Sequence, residues 1–178
     1  MAEAFERRAA QLEIRARGRR LEGHVALFNV EARIGPVTEI IRAGAFAKAL
    51  ADGRDILGLV DHDMGQLLAR TRSKTLRLAE DSKGLAFDLD VPDTTAGRDV
   101  LALAERGDVG GASFGFMPRP AGETWDARRR TLIDVDLREI SVVLAFPAYE
   151  GTTVAARSAN GMRLSLTRRR IAIAEAGR

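Results

Sequence analysis

The alternation of apolar and polar positions is sharpest near the middle of the chain, where Leu85, Phe87, Leu89 and Val91 alternate with Ala86, Asp88 and Asp90. A period of two puts the apolar side chains on a core face and the acids on a solvent face. The run TLRLAE precedes it and Asp81-Ser82-Lys83-Gly84 lies between, so the pattern predicts a β-hairpin. Helical spacing follows in TAGRDVLALAERG, where Val100, Leu101 and Ala104 share a face. Asp93 or Thr94 is placed to cap that helix and Gly107 to end it. A shorter helix is predicted over residues 43–53, closed by Gly53.

The remaining apolar runs read as strands. GHVALFNV (23–30) is apolar on both faces, and EARIGPVTEII after it carries a turn signal at Gly35-Pro36. LGLV (57–60) runs directly into the polar cluster Asp61-His62-Asp63. GGASFGF (110–116) is flanked by glycine, and residues 131–146 form one or two strands stopped by Pro147. The stretch from Arg119 to Arg130 reads as a polar loop or ribbon tip, and MRLSLTRRRIAIAEA near the end as an amphipathic helix or an arm. These elements sum to an α+β protein, mainly antiparallel β: a small barrel or rolled sheet with two to three helices around it.

Charge changes this picture at both ends. Residues 1–20 carry six Arg against three acids, and residues 157–178 six Arg against one. That leaves 16 basic and 21 acidic residues for 21–156, out of 28 Lys+Arg and 25 Asp+Glu in the 178-residue chain. An acidic body between basic ends suggests a basic N-terminal arm over 1–20 leading into the first strand, a domain over 21–156, and a basic tail over 157–178. The ends are candidates for contact with nucleic acid or an acidic partner surface. No cysteine is present, which removes disulfides and thiolate chemistry. No apolar run reaches the length of a membrane span, and the N-terminus lacks the apolar segment of a secretory signal.

Candidate chemistry is sparse. The chain has two histidines, His24 and His62, so a His-based metal site is not expected. His24 lies in an apolar run and reads as structural. His62 sits between two Asp at the end of an apolar strand, where it is either a surface side chain or a general base. Ser113 lies in Gly110-Gly111-Ala112-Ser113-Phe114-Gly115-Phe116. Such small neighbours admit a substrate backbone and allow amides near Gly111, Ala112, Phe114 and Gly115 to hold an oxyanion, or they merely let a core strand pack closely. Glu139 and Ser141 share one face of a predicted strand. A carboxylate among apolar neighbours needs a partner, and His62 is a suitable one. Asp61, Asp63, Asp134 and Asp136 are its rivals as orienting acid, and Ser141 is a rival nucleophile without glycine neighbours.

Five blocks in order, from Gly23 to about Ala155, resemble the prohead proteases of tailed bacteriophages, capsid-maturation serine proteases distantly related to the herpesvirus assemblins. GHVALFNV resembles the family's opening strand, followed by a segment ending in RAGAFAKAL. LGLVDHDMGQLLART is similar to the segment bearing the catalytic histidine, and the long block from Leu78 to Phe116 to the hairpin, helix and nucleophile strand. DLREISVVLAFPAYEGTTV is similar to the closing block. His24 departs from a position more usually aromatic, and Asp61 from one more usually Gln.

The resemblance implies an assemblin-like fold and a serine endopeptidase without cofactor or metal. It implies His62 as general base, Ser113 as nucleophile and Glu139 as third member. It further implies cleavage of the scaffolding segment of the major capsid protein, and self-cleavage, inside the assembling prohead in the bacterial host cytoplasm. The portal and further copies of the chain are additional candidate partners, and no membrane is involved. Two other functions compete. One is a non-catalytic capsid assembly or scaffolding module with a protease-like fold, which binds capsid protein without cutting it. The other is nucleic-acid binding through the basic ends, signalled by steep salt dependence. No stacking motif of aromatic and basic residues supports the latter.

Overall fold

A computed structural model of the chain describes residues 5–10 and 14–145, and the backbone of Thr153 and Val154. The strands are β1 (Glu6–Ala10), β2 (Ile14–Ala16), β3 (Arg20–Leu27), β4 (Ala32–Ile34), β5 (Val37–Ile41), β6 (Leu57–Val60), β7 (Asp63–Arg70) and β8 (Leu76–Glu80). They continue with β9 (Gly84–Asp90), β10 (Gly111–Pro118), β11 (Glu123–Asp126), β12 (Arg129–Leu132), β13 (Val135–Val143) and β14 (Thr153–Val154). Two helices, α1 (Ala47–Ala51) and α2 (Thr95–Arg106), complete the order.

The strands form three sheets, ordered β1-β10-β13-β6-β7, β11-β12-β5-β4-β14 and β2-β3-β9-β8. Pairing is antiparallel except for β12 with β5 and β13 with β6. The fold is therefore α+β and mainly antiparallel. Among the described residues no sheet closes on itself into a barrel.

Local sequence explains the elements it announced. β8 and β9 pair as a hairpin, with Leu85, Phe87 and Leu89 buried on one face. Of the two capping candidates, Thr94 serves α2, its hydroxyl accepting from the Gly97 amide at 3.2 Å. Gly107 ends α2 in the left-handed conformation at φ 75°, which glycine adopts without a Cβ clash. α1 is shorter than the predicted 43–53, because residues 43–46 form turns before it. The polar stretch before residue 131 is the ribbon β11–β12. The basic segment at the start contributes two strands. β1 pairs with β10, from Glu6 opposite Phe116 to Ala10 opposite Ala112, and β2 pairs with β3. The amphipathic segment near the end of the chain lies outside the described residues.

The core is one continuous apolar cluster. Phe46 meets Phe114 edge-on at 5.4 Å between ring centroids, and Phe114 lies 5.2 Å from Phe116. Ile140 and Val142 on β13 stand opposite Phe114 and Ala112 on β10, so one face of this strand pair is apolar. The other face carries Ser113, Gly115, Glu139 and Ser141.

A buried ion network ties β1 down. Arg8 grips both oxygens of Glu39, with Nε at 2.7 Å and Nη2 at 2.8 Å. Arg130 reaches the same carboxylate at 3.1 Å and holds Glu6 through both terminal nitrogens at 2.6 Å. Burial alone pushes the Glu6 carboxyl up, but Arg130 and Arg8 outweigh it and hold the group below its ordinary value.

Candidate active site

Two features of the backbone create the site. The first is the pairing of β10 with β13, which places Ser113 directly opposite Ser141 and Gly115 opposite Glu139. Directly opposed residues share a face, so all four belong to one small patch. The second is the connection from β6 to β7. Val60 pairs with Asp63, leaving Asp61 and His62 as a two-residue turn. Both have positive φ, 46° and 62°, as the two central residues of a type I′ turn do. Asp and His tolerate this conformation better than most residues, although Asn-Gly is the usual signal.

β6 lies beside β13, with Leu59 opposite Ser141 and Val60 opposite Val142. The turn therefore hangs over the polar face of β13. It is fastened there by the Asp61 amide donating to the Val142 carbonyl at 3.0 Å and the Leu144 amide donating to Asp61 Oδ1 at 2.9 Å.

This brings His62 and Glu139 together: Nδ1 and Oε1 lie 2.7 Å apart. The second carboxylate oxygen accepts from Ser141 Oγ at 2.8 Å, and that hydroxyl accepts from the His62 backbone amide at 3.1 Å. Glu139 and Ser141 are each about 1% exposed, and the His62 side chain 15%. Ser113 is fully buried, and its Oγ has no hydrogen-bond partner. The chemistry of the arrangement follows. A carboxylate on Nδ1 fixes the proton there, leaves Nε2 as the basic nitrogen and favours the imidazolium once it forms. Of the two hydroxyls on this face, that of Ser141 is engaged with Glu139, and that of Ser113 is uncommitted.

The rivals weighed for the orienting acid are engaged elsewhere. Asp61 holds Leu144, and Asp63 accepts from the Gly65 amide at 2.8 Å at the start of β7. Asp134 pairs with Lys48 at 2.6 Å and Asp136 with Arg54 at 3.0 Å. His24 pairs with Asp81 at 2.8 Å, away from this face. Among the described residues no group of three or more His, Cys, Asp or Glu is placed to hold a metal ion.

The strand expected to carry the oxyanion donors, Gly111 to Gly115, has a neighbour on each side. From Ala112 to Gly115 it runs between β13 and β1, with Ala9 of β1 opposite Ser113. Ala112 and Phe114 turn their side chains to the core. Gly115 has a specific reason to lack a side chain: a Cβ there would lie 2.2 Å from Glu139 Oε1 and 2.4 Å from Phe5 Cζ. The glycine leaves the volume in which the carboxylate sits, and Phe5 covers it. Two contributions escaped sequence reasoning: the bridging role of the Ser141 hydroxyl and the cover supplied by β1 and Phe5. Both depend on partners far away in the chain, and no local motif announces either.

Comparison with known proteins agrees with the fold. Residues 4–165 match the family described as caudovirus prohead serine protease, and the chain belongs to that family. Among solved structures, that of the bacteriophage T4 capsid assembly protease, gp21, aligns with a TM-score of 0.55 at 11% sequence identity. The alignment covers 82% of this chain and 99% of that one. At that identity the likeness is one of fold. Curated proteins gave no match. No helix among the described residues is long and apolar enough to cross a membrane.

Proposed function

We propose that this chain is a serine endopeptidase that cuts the scaffolding segment of a phage major capsid protein, and itself, during prohead maturation in the host cytoplasm. The observation that carries the reading is the 2.7 Å contact between His62 Nδ1 and Glu139 Oε1, on the face that also presents the uncommitted hydroxyl of Ser113. Family membership supports the same reaction class.

In the reaction, His62 Nε2 takes the proton of Ser113 Oγ as that oxygen attacks the peptide carbonyl carbon. Glu139 steadies the resulting imidazolium. The tetrahedral intermediate collapses by breaking the C–N bond, and His62 returns its proton to the leaving amine. Water then attacks the acyl-enzyme by the same route, releasing the acid product and restoring Ser113. Backbone amides of Gly111 to Gly115 are the proposed oxyanion donors. Those facing β1 are free to act only after that strand yields its ladder positions. Ser113 is likewise closed to solvent, so the described arrangement is a resting form that must open for substrate.

The proposal includes the partition into a basic arm (1–20), protease domain (21–156) and basic tail (157–178), and a small-barrel, assemblin-like architecture. Partners are the capsid protein and its scaffolding segment, the portal and further copies of this chain. The basic ends address the enzyme to the prohead interior and contact nucleic acid there. The burial of Ser113 favours one rival, a capsid assembly module that keeps the fold without cutting.

Co-expression with the neighbouring capsid gene separates the two. The wild type should shorten the capsid protein on a gel. Ser113→Ala and His62→Ala should leave it full length, with a loss of about 10⁶-fold in turnover for the nucleophile. Processing by either variant, or none by the wild type, defeats the proposal.

A further inference from the structure

We infer that Ser141 is a positioning residue, whose single hydroxyl locks the Glu139 carboxylate and the His62 turn into one register. The inference rests on the reading of His62, Ser113 and Glu139 given above.

Four observations carry it. First, the hydroxyl both donates and accepts within the site. Its proton goes to Glu139 Oε2 at 2.8 Å, and a lone pair receives the His62 amide at 3.1 Å. With the 2.7 Å contact from Oε1 to Nδ1, these bonds close a loop through the His62 ring, its own backbone and β13. A ring held at one nitrogen alone can pivot about that contact; a ring whose backbone is also held to the same strand has far less freedom. Second, His62 and Asp61 both adopt positive φ, which L side chains rarely do, so the turn depends on bonds to its surroundings to persist. Third, Glu139 and Ser141 are almost wholly removed from solvent, so water is poorly placed to replace a lost bond. Fourth, Ser141 shares its strand face with Glu139 and stands opposite Ser113, while its chain neighbours Ile140 and Val142 turn to the apolar face. The hydroxyl is therefore on the face that carries the carboxylate, within reach of it.

The hydroxyl thus acts through Glu139 and His62 and touches no reacting atom. Its removal should slow the chemical step and leave substrate binding intact. The test uses the full chain and a peptide spanning the capsid-protein cleavage junction. A fluorophosphonate serves as a second probe, because it reads nucleophile activation without peptide recognition. Ser141→Ala should lower kcat by about ten- to a hundredfold, the range for losing hydrogen bonds to a charged group. KM should stay within about twofold, as expected when only the transition state loses an interaction. Fluorophosphonate labelling should slow in proportion.

The decisive comparison is a double-mutant cycle with Glu139→Gln. If Ser141 works through the acid, Ser141→Ala costs little more once Glu139 is neutral. A wild-type kcat in Ser141→Ala, a loss confined to KM, or fully additive losses in the double variant each overturn the inference. Should Ser141→Ala fail to fold, Ser141→Thr decides. It keeps the hydroxyl, so wild-type kcat supports the inference, and a tenfold or greater loss (about 1.4 kcal/mol in the barrier) in a variant of unchanged melting temperature overturns it. Ser113→Ala in the same panel keeps the two claims apart. Labelling that survives in Ser113→Ala defeats the functional reading itself, whatever Ser141 does.

Discussion

Gly115→Ala adds one methyl group and removes nothing, yet it should disable the site. A Cβ on Gly115 would stand 2.2 Å from Glu139 Oε1, where about 3.0 Å is the closest approach real Cβ atoms make. Phe5, the other neighbour, is 43% exposed and can swing outward, so it offers little resistance. Glu139 is enclosed, and the opposing strand has no slack, so the carboxylate must withdraw by about 0.8 Å to restore the 3.0 Å separation. Directed away from His62, a shift of that size stretches the 2.7 Å contact to at most about 3.5 Å, beyond useful hydrogen-bond range. The histidine then loses the group that fixes its tautomer, an effect worth about 10⁴-fold in kcat where such an acid has been removed in serine proteases. Overpacking should cost about 1–3 kcal/mol of stability, or roughly 2–12 °C in melting temperature for a chain of this size. The assay is kcat on the junction peptide, with fluorophosphonate labelling and thermal unfolding in parallel. Adding Phe5→Ala should not restore the rate. A Gly115→Ala enzyme within about tenfold of wild-type kcat would refute the reasoning, because the acid would then be either free to move or unimportant.

Two further outcomes concern the segment that lies over the nucleophile strand. Glu39→Ala leaves Arg8 and Arg130 without their shared carboxylate in a largely buried setting, and should cost about 3 kcal/mol by chemical denaturation; a cost below about 0.5 kcal/mol would show the network to be dispensable. Glu6 has its carboxyl held below the ordinary 4.5, so its contribution is present above that pH and is lost as pH falls through the lower folded value. Protection factors at the β1 amides, corrected for the intrinsic pH dependence of exchange, should therefore begin to fall as pH drops below 4.5, before those of β9, and a uniform fall across both strands would contradict this order.

Much of the fold was legible because it is locally encoded. The β8–β9 hairpin follows from strict alternation, α2 from its spacing and caps, and the body of β10 from an apolar run between glycines. The elements that escaped have their cause elsewhere in the chain. β1 carries Glu6, Arg7 and Arg8 in succession, which reads as a solvated arm until Glu39 and Arg130 are brought alongside. The ribbon β11–β12 was half legible: low apolar content leaves its segment open between a polar loop and a ribbon tip, and pairing with β5 settles it as a ribbon. The turn at Asp61-His62 lacks the Asn-Gly or Asp-Gly that signals a two-residue connection, so the left-handed conformation of the histidine was invisible. The site divides in the same way. The spacing of Glu139 and Ser141 placed them on one face, but only the parallel alignment of β6 with β13 brings the turn above them. Carboxylate rivals were inseparable in sequence, because their engagement depends on Arg54, Lys48 and Leu144.

The pairing of β1 with β10 has a consequence for handling the protein as well as for chemistry. From Ala112 to Phe116, β10 carries no charge and no proline, and on the side away from β13 its ladder partner is β1. A chain trimmed past Ala10 would offer that run to any passing strand, the usual route to intermolecular sheet growth and insoluble protein. β1 replaces this neutral border with one that carries Arg7 exposed, a charge that opposes stacking of one molecule on the next. On this reasoning a chain lacking β1 should aggregate more readily than the full chain, and light scattering of the two at equal concentration would show it.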